Sequence, residues 1–156
     1  MDETRTLYSA DGWVVEATMT PDLDVHAPDG DCYSQRDYEL YGATWSYVGI
    51  IVNVQLNGVT IGEDQLWGVE HGQLSDVEAD AFELTPPEYG RTDDGTPTVT
   101  MGSPLSGVVI EAIDQAGKWL QSINARPDRA SFDKMARTFD PHGSDVVFIA
   151  PAEVSE

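Results

Sequence analysis

The sequence predicts an α+β fold, a single domain in which a mostly antiparallel sheet carries a long helix on one face. Residues 45–56 alternate apolar and polar side chains, as a half-buried strand does. Asn57-Gly58 follows, and this dipeptide favours the two-residue turn of an antiparallel hairpin. Residues 104–124 place apolar side chains at helical spacing. A chain of 156 residues has the length of one domain.

The first predicted strand covers residues 12–19, which are rich in β-branched and aromatic side chains. One of its faces holds the alternate residues Trp13, Val15, Ala17 and Met19. Residues 21–42 then form a long acidic connection, with a turn at Pro28-Asp29-Gly30. Loops of this length inside a compact domain usually serve a function.

The hairpin of residues 45–70 is the predicted centre of the sheet. One face of its first strand holds Val48, Ile50, Val52, Val54 and Leu56. The second strand starts at Val59, bends near Gly62 and continues through Leu66-Trp67-Gly68-Val69-Glu70. The three tryptophans predicted to lie in the core are Trp13, Trp67 and Trp119.

Local signals predict the elements that follow the hairpin. Ser75-Asp76-Val77-Glu78 matches a helix capping box, so we expect a helix over 75–84 that Pro86-Pro87 ends. Residues 89–97 are predicted to be a loop and residues 98–101 a short strand. A second short helix is predicted from about Ser131 to Thr138, and a last buried strand over 145–150.

The long helix is predicted from Pro104 to about Asn124, where Arg126-Pro127 ends it. Its apolar stripe holds Leu105, Val108, Val109, Ala112, Ile113, Ala116, Leu120 and Ile123. Gly117 lies in the middle of this helix and costs about 1 kcal/mol relative to Ala.

Negative charge is the most informative property of the composition. The chain has 28 acidic and 8 basic residues, a net charge of −20. Residues 1–117 have 22 acidic and 3 basic residues, a net charge of −19, whereas 118–156 have 6 and 5, a net charge of −1. Such a field repels nucleic acids and anionic membranes and attracts basic proteins. An acidic coat suited to high salt would cover both parts, so the asymmetry favours an interaction surface.

Motifs for targeting and for chemistry are missing from the sequence. The N-terminus has no basic start followed by an apolar run, and no stretch has the about 20 apolar residues of a membrane span. We therefore expect a cytoplasmic protein. One cysteine, Cys32, and three separated histidines, His26, His71 and His142, give no metal-ligand spacing, and the residues after Asp22 do not fit a calcium loop. No nucleophile or phosphate-binding motif is present, so neither a catalytic residue nor a cofactor is predicted.

Three carboxylate pairs in the acidic connection are the candidate partner-binding site: Asp22/Asp24, Asp29/Asp31 and Asp37/Glu39. In extended backbone the two side chains of such a pair point the same way, about 6.5–7 Å apart, which is comparable to the spacing of phosphates along DNA. Tyr33 and Tyr38 belong to the same candidate site. Acidic residues of 76–83 form the second candidate surface. The alternative is a mobile, solvated connection.

Aromatic side chains accompany these carboxylates, and they allow two interpretations. Tyr33, Tyr38, Tyr41 and Trp45 lie in or directly after the acidic connection. Aromatic side chains beside acidic ones suit a protein interface. They would equally serve to hold the connection against the sheet.

The segment Tyr47-Val48-Gly49-Ile50, followed by Leu66-Trp67-Gly68-Val69-Glu70, resembles a group of small proteins of bacteria, notably actinobacteria, and of their phages. In that group an Asp-rich stretch precedes a hairpin that ends in Leu-Trp-Gly-(Ile/Val)-Glu. The likeness covers about residues 13–84 and departs after Glu70. It implies a mobile-element context, in which small acidic inhibitors of host machinery occur.

The sequence thus favours a non-enzymatic acidic inhibitor or adaptor that binds a basic protein surface. Its most concrete form is a phage-type DNA mimic acting on a host protein that handles nucleic acid. A metal-dependent or hydrolytic enzyme and an acid-coated structural or assembly protein are the alternatives. The target, the host and the oligomeric state stay open.

Overall fold

A computed structural model describes residues 2–24, 33–125 and 128–141. In chain order the elements are β1 (Glu3–Ala10), β2 (Trp13–Pro21), α1 (Gln35–Leu40), β3 (Trp45–Leu56), β4 (Val59–Gln73), β5 (Glu78–Ala79), β6 (Glu88–Arg91), β7 (Pro97–Thr100), α2 (Pro104–Ser122) and α3 (Arg129–Phe139). Strands β1 to β5 form an antiparallel sheet in sequence order, and β6 and β7 form a separate two-stranded ribbon. Helix α2 packs on β3 and β4. The predicted α+β fold is confirmed.

Two tight turns set the register of the central strands. Asn57 and Gly58 both have positive φ, 50° and 85°, as a type I′ turn between β3 and β4 requires. Asp11 and Gly12 have nearly the same values, 55° and 85°, between β1 and β2. β1 itself was not predicted, because its side chains are mostly exposed and give no clear apolar alternation.

One face of the sheet and the inner side of both main helices form the core. The predicted stripe of β3 is buried from Val48 to Val54, and Leu56 is partly buried against it. The apolar stripe of α2 is buried from Leu105 to Leu120, which confirms that helix as predicted. Ile123 is the C-cap residue of α2 and is exposed.

The core prediction is correct for only one of the three tryptophans. Trp13 is buried, where it packs against Phe132 of α3 and donates a hydrogen bond to the Ser131 hydroxyl. Trp67 is half-exposed because it lies over Gly49 on the sheet face opposite α2. Trp119 flanks the buried stripe of α2 and is half-exposed as well.

The helix predicted over 75–84 is wrong. Glu78–Ala79 instead forms β5, which pairs with Gly72 and Gln73 at the end of β4. Backbone pairing with the sheet and burial of Phe82 in the core outweigh the local capping signal.

Three other predictions need correction. Part of the predicted loop 89–97 is the ribbon β6–β7, whose second strand confirms the strand predicted near 98–101. Helix α3 begins at Arg129 with Asp128 as its N-cap, so Ser131 lies inside it. The acidic connection contains a helix, α1. The strand predicted over 145–150 lies outside the described residues.

No helix within the described ranges is long and apolar enough to cross a membrane.

Candidate functional site

Three segments that are distant in sequence meet at one end of the sheet, where β2 and β4 end and β3 begins. Pro21 pairs with Val48, and Trp45 pairs with Gly72. Residues 22–24, helix α1 and residues 70–80 are thereby brought to the same end. Most residues of the predicted partner-binding site lie here.

Asp22 is buried and has a structural role in this arrangement. Its carboxylate accepts hydrogen bonds from the N–H of Gly68 at 2.9 Å and from the N–H of Asp24 at 3.2 Å. Gly68 has φ +74°, in a part of β4 where the register with β3 is irregular. The carboxylate thus supplies the acceptor for an N–H that the strand pairing leaves free.

Asp37 and Glu39 do not form a pair in extended backbone, because both lie in α1. Residues two apart in a helix point about 200° away from each other. Ser34 caps this helix by accepting the Asp37 N–H, and the Asp37 carboxylate accepts the Ser75 N–H at 2.7 Å. The hydrogen bonds from Ser75, followed by those of Ser34, lower the pKa of Asp37. The spacing argument therefore fails for this pair.

Of the other four predicted carboxylates, two are exposed and two lie outside the described residues. Asp24 and Glu39 are exposed. Glu39 lies 3.8 Å from the Arg36 guanidinium, and both of these side chains are largely solvated. Asp29 and Asp31 lie outside the described residues.

An aromatic cluster fixes the acidic connection to the sheet. It consists of Tyr33, Tyr41, Trp45 and Tyr47, whose neighbouring ring centroids are 5.2–5.6 Å apart. Trp45 is 2% exposed, and its indole N–H donates to the Asp37 carbonyl oxygen at 2.8 Å. These rings therefore have the anchoring role that was the second interpretation of the sequence. Tyr38 is outside the cluster and is half-exposed.

A chain of hydrogen bonds connects this cluster to β4. The Tyr47 hydroxyl donates to the Tyr33 oxygen at 2.9 Å, and the Tyr33 hydroxyl donates to the Glu70 carboxylate at 2.5 Å. Burial, the hydrogen bonds to Glu70 and Tyr47, and the Glu70 charge raise the pKa of Tyr33 far above its ordinary value. Tyr33 thus stays protonated and holds Glu70 in place.

All three segments at this end of the sheet have exposed carboxylates, and we call them the acidic end: Asp24, Glu39, Asp76, Glu78 and Asp80. Three exposed apolar or aromatic side chains are next to these carboxylates in sequence: Leu23, Tyr38 and Val77. Asp76, Glu78 and Asp80 were in the second candidate surface, but the structure places them beside the first. The pairing of β4 with β5 and the contact between Ser75 and Asp37 bring the two surfaces together.

His71 lies at the edge of the acidic end. Its Nδ1 accepts the Ala81 N–H at 3.0 Å and lies 4.0 Å from the Asp80 carboxylate. Nowhere in 2–24, 33–125 and 128–141 do three His, Cys, Asp or Glu side chains converge on a position for a metal ion.

Comparison with known proteins gives no family for this chain. No protein-family model matches it, and neither the curated proteins nor the solved structures contain a significant match.

Proposed function

We propose that this protein is a non-enzymatic acidic inhibitor or adaptor, which binds a basic surface of another protein through its acidic end. One observation carries the proposal. Exposed carboxylates lie on three separate segments at one end of the sheet, and each segment also has an exposed apolar or aromatic side chain beside them in sequence: Leu23, Tyr38 or Val77. A protein interface combines apolar or aromatic contacts with charges that match the partner.

The exposed apolar side chains give this surface a contact area that a purely charged coat lacks. An acidic coat that only keeps the protein solvated needs charged and polar groups alone. An apolar side chain in such a coat has no role, because its contact with water is unfavourable. Leu23 is 90% exposed and lies between Asp22 and Asp24 in sequence. Covering it by a partner would bury apolar area while the exposed Asp24 carboxylate meets a basic side chain.

Rigidity is the second support for the proposal. The Asp37 carboxylate is bonded to the Ser75 N–H, and the ring cluster around Trp45 holds α1 near β3. Helix α1 and the segment around Ser75 are therefore fixed relative to each other before a partner arrives. A preorganised surface loses less entropy on binding than a mobile loop does.

The finer proposal is DNA mimicry, in which the acidic end occupies the site where the partner binds nucleic acid. Carboxylates would then take the places of phosphates opposite lysine and arginine side chains. The net charge of −20 supports this form of the proposal, because it has the same sign as the charge of a nucleic acid.

The test compares two variants that remove the same amount of charge. The acidic-end variant carries Asp24→Asn, Glu39→Gln, Asp76→Asn and Glu78→Gln. The control variant carries Glu63→Gln, Glu88→Gln, Asp93→Asn and Glu111→Gln, all exposed positions away from the acidic end. Immobilised wild type and both variants are exposed to a cell lysate of the source organism, and the captured proteins are identified.

We expect a basic protein that is captured by the wild type and by the control variant, is lost with the acidic-end variant, and is released by salt. Its affinity for the acidic-end variant should fall at least tenfold, or about 1.4 kcal/mol. Release by added double-stranded DNA would support mimicry, whereas capture that DNA does not affect would limit the proposal to an adaptor. Equal capture by both variants would overturn the proposed surface.

A further inference from the structure

Strand β1 lies at one edge of the five-stranded sheet, and in the described part of the chain its backbone pairs with β2 alone. Residues 3–6 are exposed, whereas Leu7 and Tyr8 are partly buried and Tyr8 contacts Phe139 of α3. A free strand edge presents N–H and C=O groups to which a further strand can bond. The first half of β1 is therefore a place where a strand can be added.

The charge of β1 differs from that of the acidic part of the chain around it. Its two charged residues are Glu3 and Arg5, so the strand has no net charge, and Arg5 is one of three basic residues in 1–117. At the other edge of the sheet, β5 pairs only with the last two described residues of β4. The free part of that edge has Glu63 and Asp64, and two copies of the chain would repel each other there. A second copy thus meets less repulsion at β1 than at β4.

The order Glu3-Thr4-Arg5 is complementary to itself when two strands run antiparallel. If Thr4 lies opposite Thr4 of a second copy, Glu3 of each copy lies opposite Arg5 of the other. Directly opposite residues have Cβ atoms about 4.5–5.5 Å apart, and opposite charges at such positions attract. Both copies then use the same residues, so a two-fold axis through the Thr4 pair gives a closed dimer.

The side chains of Glu3 and Arg5 have donor and acceptor atoms to spare for these contacts. Within one copy, Arg5 Nε and Nη2 both donate to Glu3 Oε1, at 3.0 and 2.9 Å. Both bonds end on the same oxygen, which leaves Glu3 Oε2 and Arg5 Nη1 available to a second copy. The Arg5 guanidinium carbon lies 4.2 Å from the centroid of the Phe82 ring, and this contact positions the guanidinium before a second copy arrives.

We propose that this protein forms a symmetric dimer in which residues 2–6 of two copies pair as antiparallel strands centred on Thr4. The pairing ends near Thr6, because the register of β1 shifts between Thr6 and Tyr8 and such an irregularity bends a strand. The contact is short, and two copies of net charge −20 repel each other elsewhere. The dimer is therefore weak, with a dissociation constant of about 10 µM to about 1 mM at about 0.15 M NaCl.

Complementary charge reversals of the full-length protein test the pairing by sedimentation equilibrium. Glu3→Arg gives each copy two positive charges at the contact, and Arg5→Glu gives each copy two negative ones. Opposite positions then repel, so each variant alone should dimerise at least tenfold more weakly than the wild type. In an equal mixture of the two variants every positive charge lies opposite a negative one, and the heterodimer should be at least tenfold tighter than either homodimer.

A control variant makes the same two kinds of charge change elsewhere. Arg91→Glu with Glu111→Arg alters exposed positions of β6 and α2, and it should self-associate as the wild type does. Amide NMR signals locate the contact: as the wild-type concentration rises, the signals of residues 2–6 should shift. The Glu3 and Arg5 side chains are 51% and 52% exposed, so their replacement leaves the core intact.

Two outcomes would overturn the inference: a wild type that stays monomeric at about 1 mM, or a mixture of the two variants that associates no better than its components. The wild type and Glu3→Arg decide the question even if Arg5→Glu, which loses the contact with Phe82, folds poorly, because equal self-association of those two contradicts the charge pairing. Neither outcome bears on partner binding at the acidic end, whose residues are unchanged in these variants.

Discussion

Some carboxylates in the described part of this protein accept a hydrogen bond from a backbone N–H, and others do not. Asp22 accepts the N–H of Gly68, Asp37 that of Ser75, and Asp80 that of Phe82. Asp24 and Asp76 are exposed. In a chain of net charge −20, a carboxylate bonded to an N–H stabilises the fold, whereas a free one mainly adds repulsion or binds a partner.

Replacement of Asp22 should separate these two kinds. Asp22→Ala removes the acceptor of the Gly68 N–H and should lower the free energy of unfolding by about 1–2 kcal/mol. Asp24→Ala is the matched control at an exposed position and should change it by no more than about 0.5 kcal/mol. Urea unfolding of both variants measures the difference. Equal values would show that the hydrogen bond to Gly68 contributes nothing.

A second prediction concerns how stability depends on pH through the Tyr33 hydroxyl. Its pKa is raised in the folded state, so the folded protein holds this proton more tightly than the unfolded chain does. The resulting stability is complete below about pH 10, the ordinary tyrosine pKa, and is lost as the pH rises above that value. Tyr33→Phe should cost about 1 kcal/mol at neutral pH and flatten the loss above about pH 10.

Urea unfolding between about pH 8 and about pH 11 measures this dependence. Tyr38→Phe serves as the control, since the Tyr38 side chain is half-exposed and lies outside the aromatic cluster. That variant should lose stability as steeply as the wild type. A Tyr33→Phe variant as steep as the wild type would contradict the role of the hydrogen bond to Glu70.

At the scale of elements, the contact between α2 and the sheet depends on close approach of two backbones. A Cβ on Gly62 of β4 would clash with the Ala112 carbonyl oxygen and lie 2.9 Å from the Ala116 Cβ. Close packing also explains the glycine at position 117 of α2, because a Cβ there would lie 3.2 Å from the Phe132 ring. Glycine has a low helix propensity, but at this position it allows α2 to pack closely against α3.

Two glycine-to-alanine substitutions test this packing with opposite expected signs. Gly62→Ala must push α2 away from β4 and should lower the free energy of unfolding by about 1–3 kcal/mol. Gly107→Ala, at an exposed site of α2 where a Cβ meets nothing within 4 Å, should raise it by about 0.4–1 kcal/mol. Thermal unfolding compares both with the wild type. If Gly62→Ala left the free energy of unfolding unchanged, α2 and β4 could move apart without loss of stability.

For the whole molecule, self-repulsion is the dominant electrostatic effect. Exposed charges interact over about 10 Å at 0.1 M salt, so added salt should weaken the repulsion within the acidic part of the chain. We expect the melting temperature to rise when NaCl increases from about 0.05 to about 0.5 M. A melting temperature that is constant across this series would show that the carboxylates are too far apart to matter.

Acidification should have two opposite effects on the whole molecule. From pH 7 to about pH 5, partial protonation of carboxylates reduces repulsion, and the melting temperature should rise modestly. Hydrogen bonds from Thr92 and Thr96 lower the pKa of Asp94 to about 2, and the pKa of Asp37 is also lowered. The stabilisation from Asp94 is lost between about pH 4, the ordinary Asp pKa, and about pH 2, and that from Asp37 is also lost as the pH falls below about 4. The melting temperature should therefore fall there. Scanning calorimetry across the pH series measures both the expected rise and the expected fall in melting temperature.

The sequence by itself determined those features that neighbouring residues encode. The alternation in 45–56 and Asn57-Gly58 define the β3–β4 hairpin, and the helical stripe of 104–124 defines α2. Both depend on contacts between residues close in sequence or on a repeated burial pattern, so local chemistry is sufficient to predict them. The excess of acid in residues 1–117 is likewise a property of the sequence alone.

Only the tertiary structure decided which acidic residues are structural and which are free. Asp22 is bonded to Gly68, 46 residues away, and Tyr33 to Glu70, 37 residues away. The residues of 75–84 have a helical capping signal, yet they complete the sheet because the end of β4 provides a strand to pair with. Contacts over such separations depend on how the strands are ordered and packed, which no local pattern of residues specifies.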